Sequence, residues 1–261
     1  MRTTLICHHG DHLNRLALAR WLASFSDLAG IVIVKENRGR EWKRVQRELK
    51  RVGFLRFMDV LAYRIYHKFF VSEADRDYER RLLEDVSNVY HALRPDLPTL
   101  VTASPNSKEA KAFLEQLRPD LMIARCKVIL KPEVFEIPRL GTYVMHPGIC
   151  PEYRNAHGCF WALAQGDLEN VGMTLLKVDK GIDTGPVYGV FSYPYDERSE
   201  SHIVIQHRTV FDNLDRIRDK FLAIEKGAAR PIDTTGRKSG VWAQPQLTRY
   251  LAWKSAARKR S

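Results

Sequence analysis

The stretch TTLICHHGDHLNRLALARWLASFSDLAGIVIV, residues 3–34, decides the fold of this chain. Thr3 to Cys7 is apolar and β-prone, which predicts a first strand. Asn14 to Phe25 then repeats leucine and alanine at helical spacing, and Ile31 to Val34 is a compact run of β-branched residues. A strand, a loop, a helix and a second strand in this order predict the opening of an open parallel α/β sheet.

The same alternation returns after a long helical region. From Glu36 to Val86 the sequence is charge-rich, and its apolar residues recur near an i, i+3/i+4 rhythm that predicts a helical insertion. Ser201 to Lys226 is predicted as one long helix, and the chain beyond it is polar and basic. Further strands are predicted at 119–124, 141–146, 172–178 and 187–190. We therefore expect an α/β fold with an open, mostly parallel sheet flanked by helices, a helical insertion over about 36–86 and a short C-terminal appendage.

The composition and charge of the chain limit the kinds of partner that it is expected to bind. The chain has 261 residues, a hydrophobic fraction of 44% and a formal net charge of +11. This charge favours an anionic partner, such as a phosphorylated substrate or RNA, and a solvated basic surface is the alternative. No apolar run approaches the roughly 20 residues that span a bilayer, so we expect no membrane partner. The four cysteines form no CxxC pair, which favours reduced core thiols and a cytoplasmic protein.

A histidine and an aspartate mark the most informative part of the sequence. His146 ends a predicted strand that runs into a proline-punctuated loop, and Asp183 lies in the acidic turn that follows the next predicted strand. Taken singly, each is typical of a structural histidine or a turn aspartate. At adjacent strand ends the two side chains can together move one proton and hold one developing charge. The pattern therefore predicts a catalytic site.

These residues lie in ordered blocks that resemble the folate-dependent formyltransferases, a family that includes methionyl-tRNA, glycinamide ribonucleotide and sugar-nucleotide N-formyltransferases. The resemblance covers roughly the first three quarters of the chain, and its blocks are Pro119–Ala124, Leu130, Gly141–His146, Pro151–Arg154 and Gly181–Gly185. It implies a Rossmann-like catalytic domain over 1–195, followed by a C-terminal helix and basic tail over 196–261. It also implies transfer of a formyl group from N10-formyltetrahydrofolate to an amine.

The family's catalytic residues are an asparagine, a histidine and an aspartate. His146 and Asp183 match the histidine and the aspartate, but Val144 stands where the asparagine is expected. An asparagine would donate a hydrogen bond to the oxygen that gains charge, and losing one such donor typically costs about 10²–10³ in rate. Three explanations stay open: a substitute donor, a slow enzyme, or a protein that binds its ligands without turnover. The candidate substitute donors are Asn155, His157 and Arg125.

The resemblance also implies where folate binds. In the family, main-chain groups of two loops contact the pterin, so substitutions in those loops need not prevent binding. The corresponding residues here are Val128, Leu130, Val178, Asp179, Gly181 and Asp183. Lys127 departs from the usual small or apolar residue at the entrance of this pocket.

Two segments are candidates for the substrate site. The first turn, with His8, His9, Gly10 and Asn14, lies where a strand meets a helix N-terminus, and such a position suits a phosphate group. The histidines there have no acid or cysteine at a recognisable ligand spacing, so we expect no metal. The second segment matches the family's substrate loop and comprises Tyr153, Arg154 and Asn155. The arginine is suited to clamp a phosphate or carboxylate, and a surface pair with Glu152 is the equal alternative.

The sequence thus predicts an N-formyltransferase that uses N10-formyltetrahydrofolate and a small, anionic primary amine. A nucleotide-linked amino sugar is the first expectation for this acceptor. A methionyl-tRNA formyltransferase-like enzyme that binds tRNA is the alternative, because the basic tail carries Trp242, Tyr250 and Trp253. A weakly active or inactive folate-binding homologue is a further alternative, because of Val144. A homodimer is left open.

Overall fold

The computed structural model describes residues 1–35, 49 and 53–260. Its strands, in chain order, are β1 (Arg2–His8), β2 (Asp27–Val34), β3 (Thr99–Thr102), β4 (Leu121–Arg125), β5 (Gly141–His146), β6 (Arg154–Asn155), β7 (Met173–Lys177), β8 (Val187–Phe191) and β9 (Val241–Trp242). Within the described residues, seven strands form one sheet in the order β3-β2-β1-β4-β5-β7-β8. The first five strands of this order are parallel, and β7 and β8 are antiparallel to their neighbours. This confirms the predicted Rossmann-like, mostly parallel sheet.

Helices cover both faces of this sheet. A π-helical turn (Leu13–Leu18) runs into α1, and the helices are α1 (Ala19–Phe25), α2 (Phe54–Phe70), α3 (Ser72–Val89), α4 (Lys108–Leu117), α5 (Pro132–Phe135), α6 (Gly158–Gln165), α7 (His202–Phe211), α8 (Leu214–Glu225) and α9 (Leu247–Lys259). The described part of the predicted helical insertion consists of α2 and α3. The rest of the prediction, over 36–48 and 50–52, lies outside the described residues.

The predicted single helix from Ser201 to Lys226 is wrong, because the chain breaks it into α7 and α8 at Asn213. The backbone of Asn213 leaves the helical region, with φ −117° and ψ 14°. Its buried side-chain amide donates to the carbonyl oxygens of Ser192 and Thr209. Asparagine side chains often bond to nearby backbone in this way, at the expense of the helix.

Alternating residues of the central strands build two cores. On one face, Leu5 and Cys7 of β1 pack with the helices α1 and α8 through Trp21 and Phe221. On the other face, Ile6 packs with strand and helix residues that include Val32, Met122, Leu114 and Phe135. Burial on both faces is the expected environment of parallel strands. None of the four cysteines forms a disulfide bond, and no described helix is long and apolar enough to cross a membrane.

The order of the strands sets the position of a ligand site. From β1 the chain adds β2 and β3 on one side, then returns to add β4 and β5 on the other. Ligands of open α/β sheets bind outside the carboxyl ends of the strands at such a switch point. The residues at these ends are His8 in β1, Arg125 in β4 and His146 in β5.

The helices and strand that follow residue 195 pack against the rest of the protein. Phe211 and Ile217 lie in the core under the sheet. Tyr250 and Trp253 of α9 are buried in a third cluster with Phe160 of α6. The predicted boundary at 195 stays a prediction.

Candidate functional site

His146 and Asp183 lie side by side. His146, the last residue of β5, is buried, and its Nδ1 is 3.4 Å from Oδ2 of Asp183. Its Nε2 is 2.7 Å from the carbonyl oxygen of Tyr153. Because a carbonyl only accepts hydrogen bonds, Nε2 carries a proton and donates it to this contact. The nitrogen that remains to exchange a proton is therefore Nδ1, which faces the carboxylate.

The turn that carries Asp183 is fixed by its own hydrogen bonds. The carboxylate of Asp179 accepts from the N–H of Gly181 at 2.9 Å and from the hydroxyl of Thr184 at 2.8 Å. Asp183 has φ 50°, and its Oδ2 accepts the main-chain N–H of Asn155 at 2.8 Å. The same carboxylate oxygen thus contacts both the imidazole and the substrate-loop backbone, which holds it in place.

Two glycines bring the loop backbone close to His146. A Cβ atom on Gly148 would stand 2.6 Å from the oxygen of Tyr153 and 2.7 Å from Cα of Gly158. A Cβ atom on Gly158 would stand 2.4 Å from Cα of Gly148. These distances are too short for any side chain. The close approach of the loop backbone at Gly148 and Gly158, here called the loop crossing, therefore requires glycine at both positions. The crossing sets the carbonyl of Tyr153 within hydrogen-bonding distance of the imidazole.

Residues 237–243, here called the C-terminal strap, hold this loop from outside. β9 of the strap pairs in parallel with β6, and the side-chain amide of Asn155 donates to the carbonyl of Trp242. Arg237 donates twice to the carboxylate of Glu152, at 2.9 and 2.6 Å. The strap is therefore joined to the loop that contacts both His146 and Asp183.

Aromatic stacking reinforces this junction. The ring of Trp242 stacks on Trp161 with centroids 4.9 Å apart, and on Tyr153 with centroids 5.5 Å apart. Its indole N–H donates to the carbonyl of Glu152 at 2.8 Å, and Trp161 donates to that of Ala243 at 2.8 Å. Sequence reasoning missed this role. The available signal was the group of aromatic residues in the tail, but their spacing does not identify a partner.

Val144 lies on the same side of β5 as His146 and is partly buried. Of the proposed substitute donors, Asn155 already bonds to Trp242 and Asp183. Arg125 donates to Oδ1 of Asn14 at 2.9 Å and to the carbonyl of Met145. Burial lowers the pKa of the Arg125 guanidinium.

The third candidate donor, His157, has a different environment. It has φ 52°, and its Nδ1 is buried without a hydrogen-bond partner. Burial, with a further contribution from the charge of Lys127, lowers the pKa of His157 to about 4. The ring is therefore neutral near pH 7, and it lies 5.8 Å from the ring of His202. Of the three candidates, His157 is the one with a ring nitrogen left unbonded.

The loops predicted to hold folate line an apolar seam. Val128, Val144 and Val178 are partly buried and pack against one cluster, in which Leu130 is buried. Ile129 and Ile182 project outward with 66% and 44% of their surface exposed. Partly buried aliphatic side chains beside main-chain polar groups fit one face of a flat heterocycle such as a pterin.

Some main-chain polar groups of these loops already form hydrogen bonds within the protein. The N–H of Val178 donates to Thr142, and that of Gly181 donates to Asp179. The amide of Asn106 bonds to Ile129 and Lys131, which fixes the first of the two loops.

A cavity of about 510 Å³ opens at the carboxyl ends of β1 and β2. His8, His9 and Gly10 line it, as do the basic residues His12, Lys35, Lys127 and His207 and the acids Asp11 and Glu79. The two lysines and the two acids balance each other, so the lining is polar and carries no net formal charge with its histidines neutral. Asn14 lies elsewhere, since it is buried and bonded to Asp11 and Arg125. The carboxylate of Asp11 also accepts the main-chain N–H of Asn14 at 3.0 Å, so this amide of the predicted phosphate-binding turn is already bonded.

The substrate-loop residues have separate surroundings. Tyr153 is buried, and its hydroxyl donates to Asp167 at 2.7 Å. Arg154 donates to the carbonyl of Ile182 at 3.2 Å, while its buried Nε has no partner. Together with Asp183, Arg154 lines a small cleft of about 90 Å³ beside Thr184, Thr234 and Ser239.

Comparison with known proteins identifies the family of this chain. Three relatives are named methionyl-tRNA formyltransferase. The protein of Thermotoga maritima is 39% identical over 97 residues, which is 37% of this chain and 31% of the relative. The protein of Dehalococcoides mccartyi strain CBDB1 is 39% identical over 98 residues, again 37% and 31%. The protein of Pseudomonas syringae is 36% identical over 97 residues, with the same shares. The chain thus matches about a third of the length of these curated relatives.

Two solved structures share the fold. A sugar N-formyltransferase from a Shewanella species superposes with a TM-score of 0.56 at 12% identity, covering 98% of this chain and 88% of that one. The phosphoribosylglycinamide formyltransferase of Anaplasma phagocytophilum gives 0.56 at 15% identity, covering 94% and 99%. The profile described as formyl transferase matches residues 67–213, a span that contains both His146 and Asp183. Because this match covers more than half of the chain, the protein belongs to the formyl transferase family.

Proposed function

We propose that this protein is an N-formyltransferase that moves a formyl group from N10-formyltetrahydrofolate to the primary amine of a small anionic acceptor. The observation that carries the proposal is the 3.4 Å approach of His146 Nδ1 to Asp183 Oδ2 within the segment that matches the family. A buried imidazole beside a carboxylate is a standard arrangement for proton transfer. The first candidate for the acceptor is an amino sugar linked to a nucleotide.

The geometry divides the work between the two side chains. With the Nε2 proton held by Tyr153, the nitrogen of His146 that is available to take a proton is Nδ1. The carboxylate of Asp183, 3.4 Å from this nitrogen, is placed to stabilise positive charge that develops on the ring. The pair is therefore arranged to accept the proton that the acceptor amine releases as its nitrogen bonds to the formyl carbon. The bond between that carbon and N10 would then break, and tetrahydrofolate would leave with a proton on N10. Positioned acid–base groups of this kind contribute about 10²–10⁴ in rate.

The apolar seam is the proposed place for the folate. Val128, Val144 and Val178 would contact one face of the pterin, and Leu130 supports them from the core. Of the predicted folate residues, Asp179 and Gly181 shape the turn, and Asp183 projects from it towards His146. The cosubstrate supplies the formyl carbon and its oxygen. The chain supplies binding, orientation and the proton acceptor.

The larger cavity is the proposed place for the acceptor's anionic group, whose charge is inferred from the chain's net charge of +11. Lys35 and Lys127 are the cations that would contact this group, and Asp11 and Glu79 also line the cavity. Of its four histidines, His8 accepts the main-chain N–H of Lys127 at 2.8 Å. Its volume of about 510 Å³ lies within the roughly 300–1,000 Å³ usual for small-molecule sites. A phosphate or diphosphate group of the acceptor is the anion that we propose for this cavity.

Two other functions are supported by specific observations. The relatives named methionyl-tRNA formyltransferase, up to 39% identical over about a hundred residues, favour an aminoacyl-tRNA as acceptor. The formal charge of +11 is compatible with RNA. Val144, which lacks a hydrogen-bond donor next to His146, favours a homologue that binds folate with little turnover.

One experiment separates these functions. The purified protein is incubated with N10-formyltetrahydrofolate and, in parallel, with nucleotide-linked amino sugars, glycinamide ribonucleotide and methionyl-tRNA. Mass spectrometry then detects the gain of one carbon and one oxygen on an acceptor. We expect formylation of a nucleotide-linked amino sugar. Formylation of the tRNA alone would favour the second function, and folate binding without any product would favour the third.

A further inference from the structure

Helix α2 presents an apolar face to solvent. Phe54, Met58, Leu61, Ile65 and Phe69, here called the α2 stripe, follow each other at intervals of three or four residues. This spacing places them on one face of the helix. All five are exposed, and the exposed fraction reaches 67% at the first and 72% at the last. The stripe is about 22 Å long at about 1.5 Å per residue.

The opposite face of α2 fixes this orientation. Val60 and Tyr63 are buried, and the ring of Tyr63 lies 5.5 Å from that of Tyr250 in α9. The carboxylate of Asp59 accepts both the N–H and the hydroxyl of Thr248 at the start of α9. The helix is therefore held against the protein by its other side, and its apolar stripe is directed outwards.

Positive charge lies beside the stripe. Arg64 and Lys68 are exposed on the same helix, one turn apart, and at 100° per residue both lie on the same edge of the stripe. The sole acid of α2 in the sequence is Asp59, which is bonded to Thr248. Residues 36–52, directly before the helix in the sequence, contain three glutamates against the seven basic residues Arg38, Arg40, Lys43, Arg44, Arg47, Lys50 and Arg51.

We propose that the α2 stripe docks on the surface of a lipid bilayer that contains anionic headgroups, with α2 lying in the plane of the interface. A helix with a continuous apolar stripe and a cationic border binds in this way, because its apolar side chains enter the headgroup boundary while its cations contact anionic lipids. No described helix is able to span a bilayer, so the contact is peripheral. Docking requires no formyl transfer.

The chemistry of the stripe favours lipid over other occupants. Its centre is aliphatic, through Met58, Leu61 and Ile65. Its two rings, Phe54 and Phe69, lie about 22 Å apart at opposite ends, too far for successive nucleic-acid bases to stack on both. A second copy of this chain would bring an equally cationic helix edge against Arg64 and Lys68, and like charges in contact disfavour association. An anionic lipid surface satisfies both the apolar and the cationic side chains.

Vesicle sedimentation tests the proposal with the full chain. Phosphatidylcholine vesicles with and without phosphatidylglycerol are pelleted with the protein at low and high salt. We expect co-sedimentation with the anionic vesicles that weakens as salt rises. Ile65→Glu, and separately the double change Arg64→Glu with Lys68→Glu, should each lower the vesicle partition coefficient about tenfold or more.

Matched variants control for general effects of charge. Val101→Glu places the same substitution on another exposed apolar residue, 53% exposed in β3. Lys238→Glu reverses an exposed cation outside α2. Both should bind vesicles like the unmodified protein, and circular dichroism verifies that every variant is folded.

Several results would overturn the proposal. These are an absence of co-sedimentation, equal binding to vesicles of phosphatidylcholine alone, and an equal loss of binding in Val101→Glu. Sedimentation velocity without lipid would reveal a dimer that Ile65→Glu dissociates, which would assign the stripe to a second copy. Binding to tRNA that Ile65→Glu abolishes would assign it to nucleic acid. Either assignment replaces the bilayer.

Discussion

The side-chain amide of Asn155 donates a hydrogen bond to the main-chain carbonyl of Trp242, and the two residues pair in parallel as β6 and β9. Asn155 also donates its own main-chain N–H to Asp183. A residue near the C-terminus is thus connected to the proposed catalytic carboxylate through a single intermediate residue. The C-terminal strap is consequently part of the site's support, although it lies far from the site in sequence.

Trp242→Ala should lower the turnover number more than it raises KM. The substitution removes the stack on Trp161 and Tyr153, so the loop that fixes Asp183 gains freedom. We expect a loss of about tenfold in kcat, since small displacements of positioned groups are costly. Steady-state kinetics with the identified acceptor measures it. Trp242→Phe keeps a stacking ring and should retain most activity, and a variant with unchanged kcat would contradict the role of the strap.

His146→Ala and Asp183→Asn should each reduce formyl transfer by about 10²–10⁴ while the protein stays folded. Both changes remove one member of the pair that accepts the amine proton. Asp233→Asn is the matched control, because this exposed carboxylate accepts the main-chain N–H of Thr235 within its own turn. Product formation is followed by mass spectrometry and folding by circular dichroism. Normal turnover in either site variant would refute the assigned roles.

Gly148→Ala should destabilise the protein, because the added Cβ would meet the backbone of Tyr153 and Gly158 at 2.6 and 2.7 Å. We expect a loss of about 1–3 kcal/mol in the free energy of unfolding, as is typical of overpacking. Urea denaturation measures it. Gly10→Ala has no atom within 4 Å of its Cβ and should unfold like the unmodified protein. Equal stability of the two variants would show that the loop crossing relaxes freely.

The sheet was predictable because its strands are local patterns. β5 has the predicted bounds, 141–146, and β1 extends the predicted strand by one residue at each end. The break at Asn213 was not predictable, since it depends on the carbonyl of Ser192, which belongs to a distant segment. Local periodicity alone favours an uninterrupted helix there.

The site was predictable only in part. The order of the family motifs indicates His146 and Asp183, but no spacing reveals that Tyr153 provides a carbonyl to the imidazole. The pairing of Asn155 with Trp242 joins residues 87 positions apart, and such contacts are set by tertiary packing. The burial of Asn14 is also tertiary, because its partner Arg125 comes from β4.

Val144→Asn should raise the rate of formyl transfer. An asparagine at this position would lie on the same side of β5 as His146 and would add a donor for the developing charge. Such donors are worth about 10²–10³ in rate, whereas placing an amide among Val128 and Val178 costs about 1–3 kcal/mol of stability. Kinetics and urea denaturation measure both effects. Val144→Leu, which matches asparagine in size but has no donor, controls for size. An unchanged rate in Val144→Asn would indicate that another donor, with His157 first, already serves.

The stability of the protein should fall as the pH drops from about 6.5 to about 4, because the fold holds two histidines, the buried His202 and the partly buried His157, in neutral form. Burial lowers the pKa of His157 to about 4, and burial together with nearby His157 and His67 lowers the pKa of His202 well below its usual value. His202 also faces Lys254 and His207, which act in the same direction. Above pH 6.5 these two imidazoles are neutral in both the folded and the unfolded chain, so they contribute no pH dependence.

Below that pH the unfolded chain binds protons that the native fold excludes, and each histidine then costs up to about 1.4 kcal/mol per pH unit. Urea denaturation at pH 7 and pH 5 measures the difference. His202→Phe removes one titrating group and should flatten the dependence by about half, even if its stability at pH 7 changes. A His202→Phe variant with the slope of the unmodified protein would contradict the assignment of the pH dependence to this imidazole.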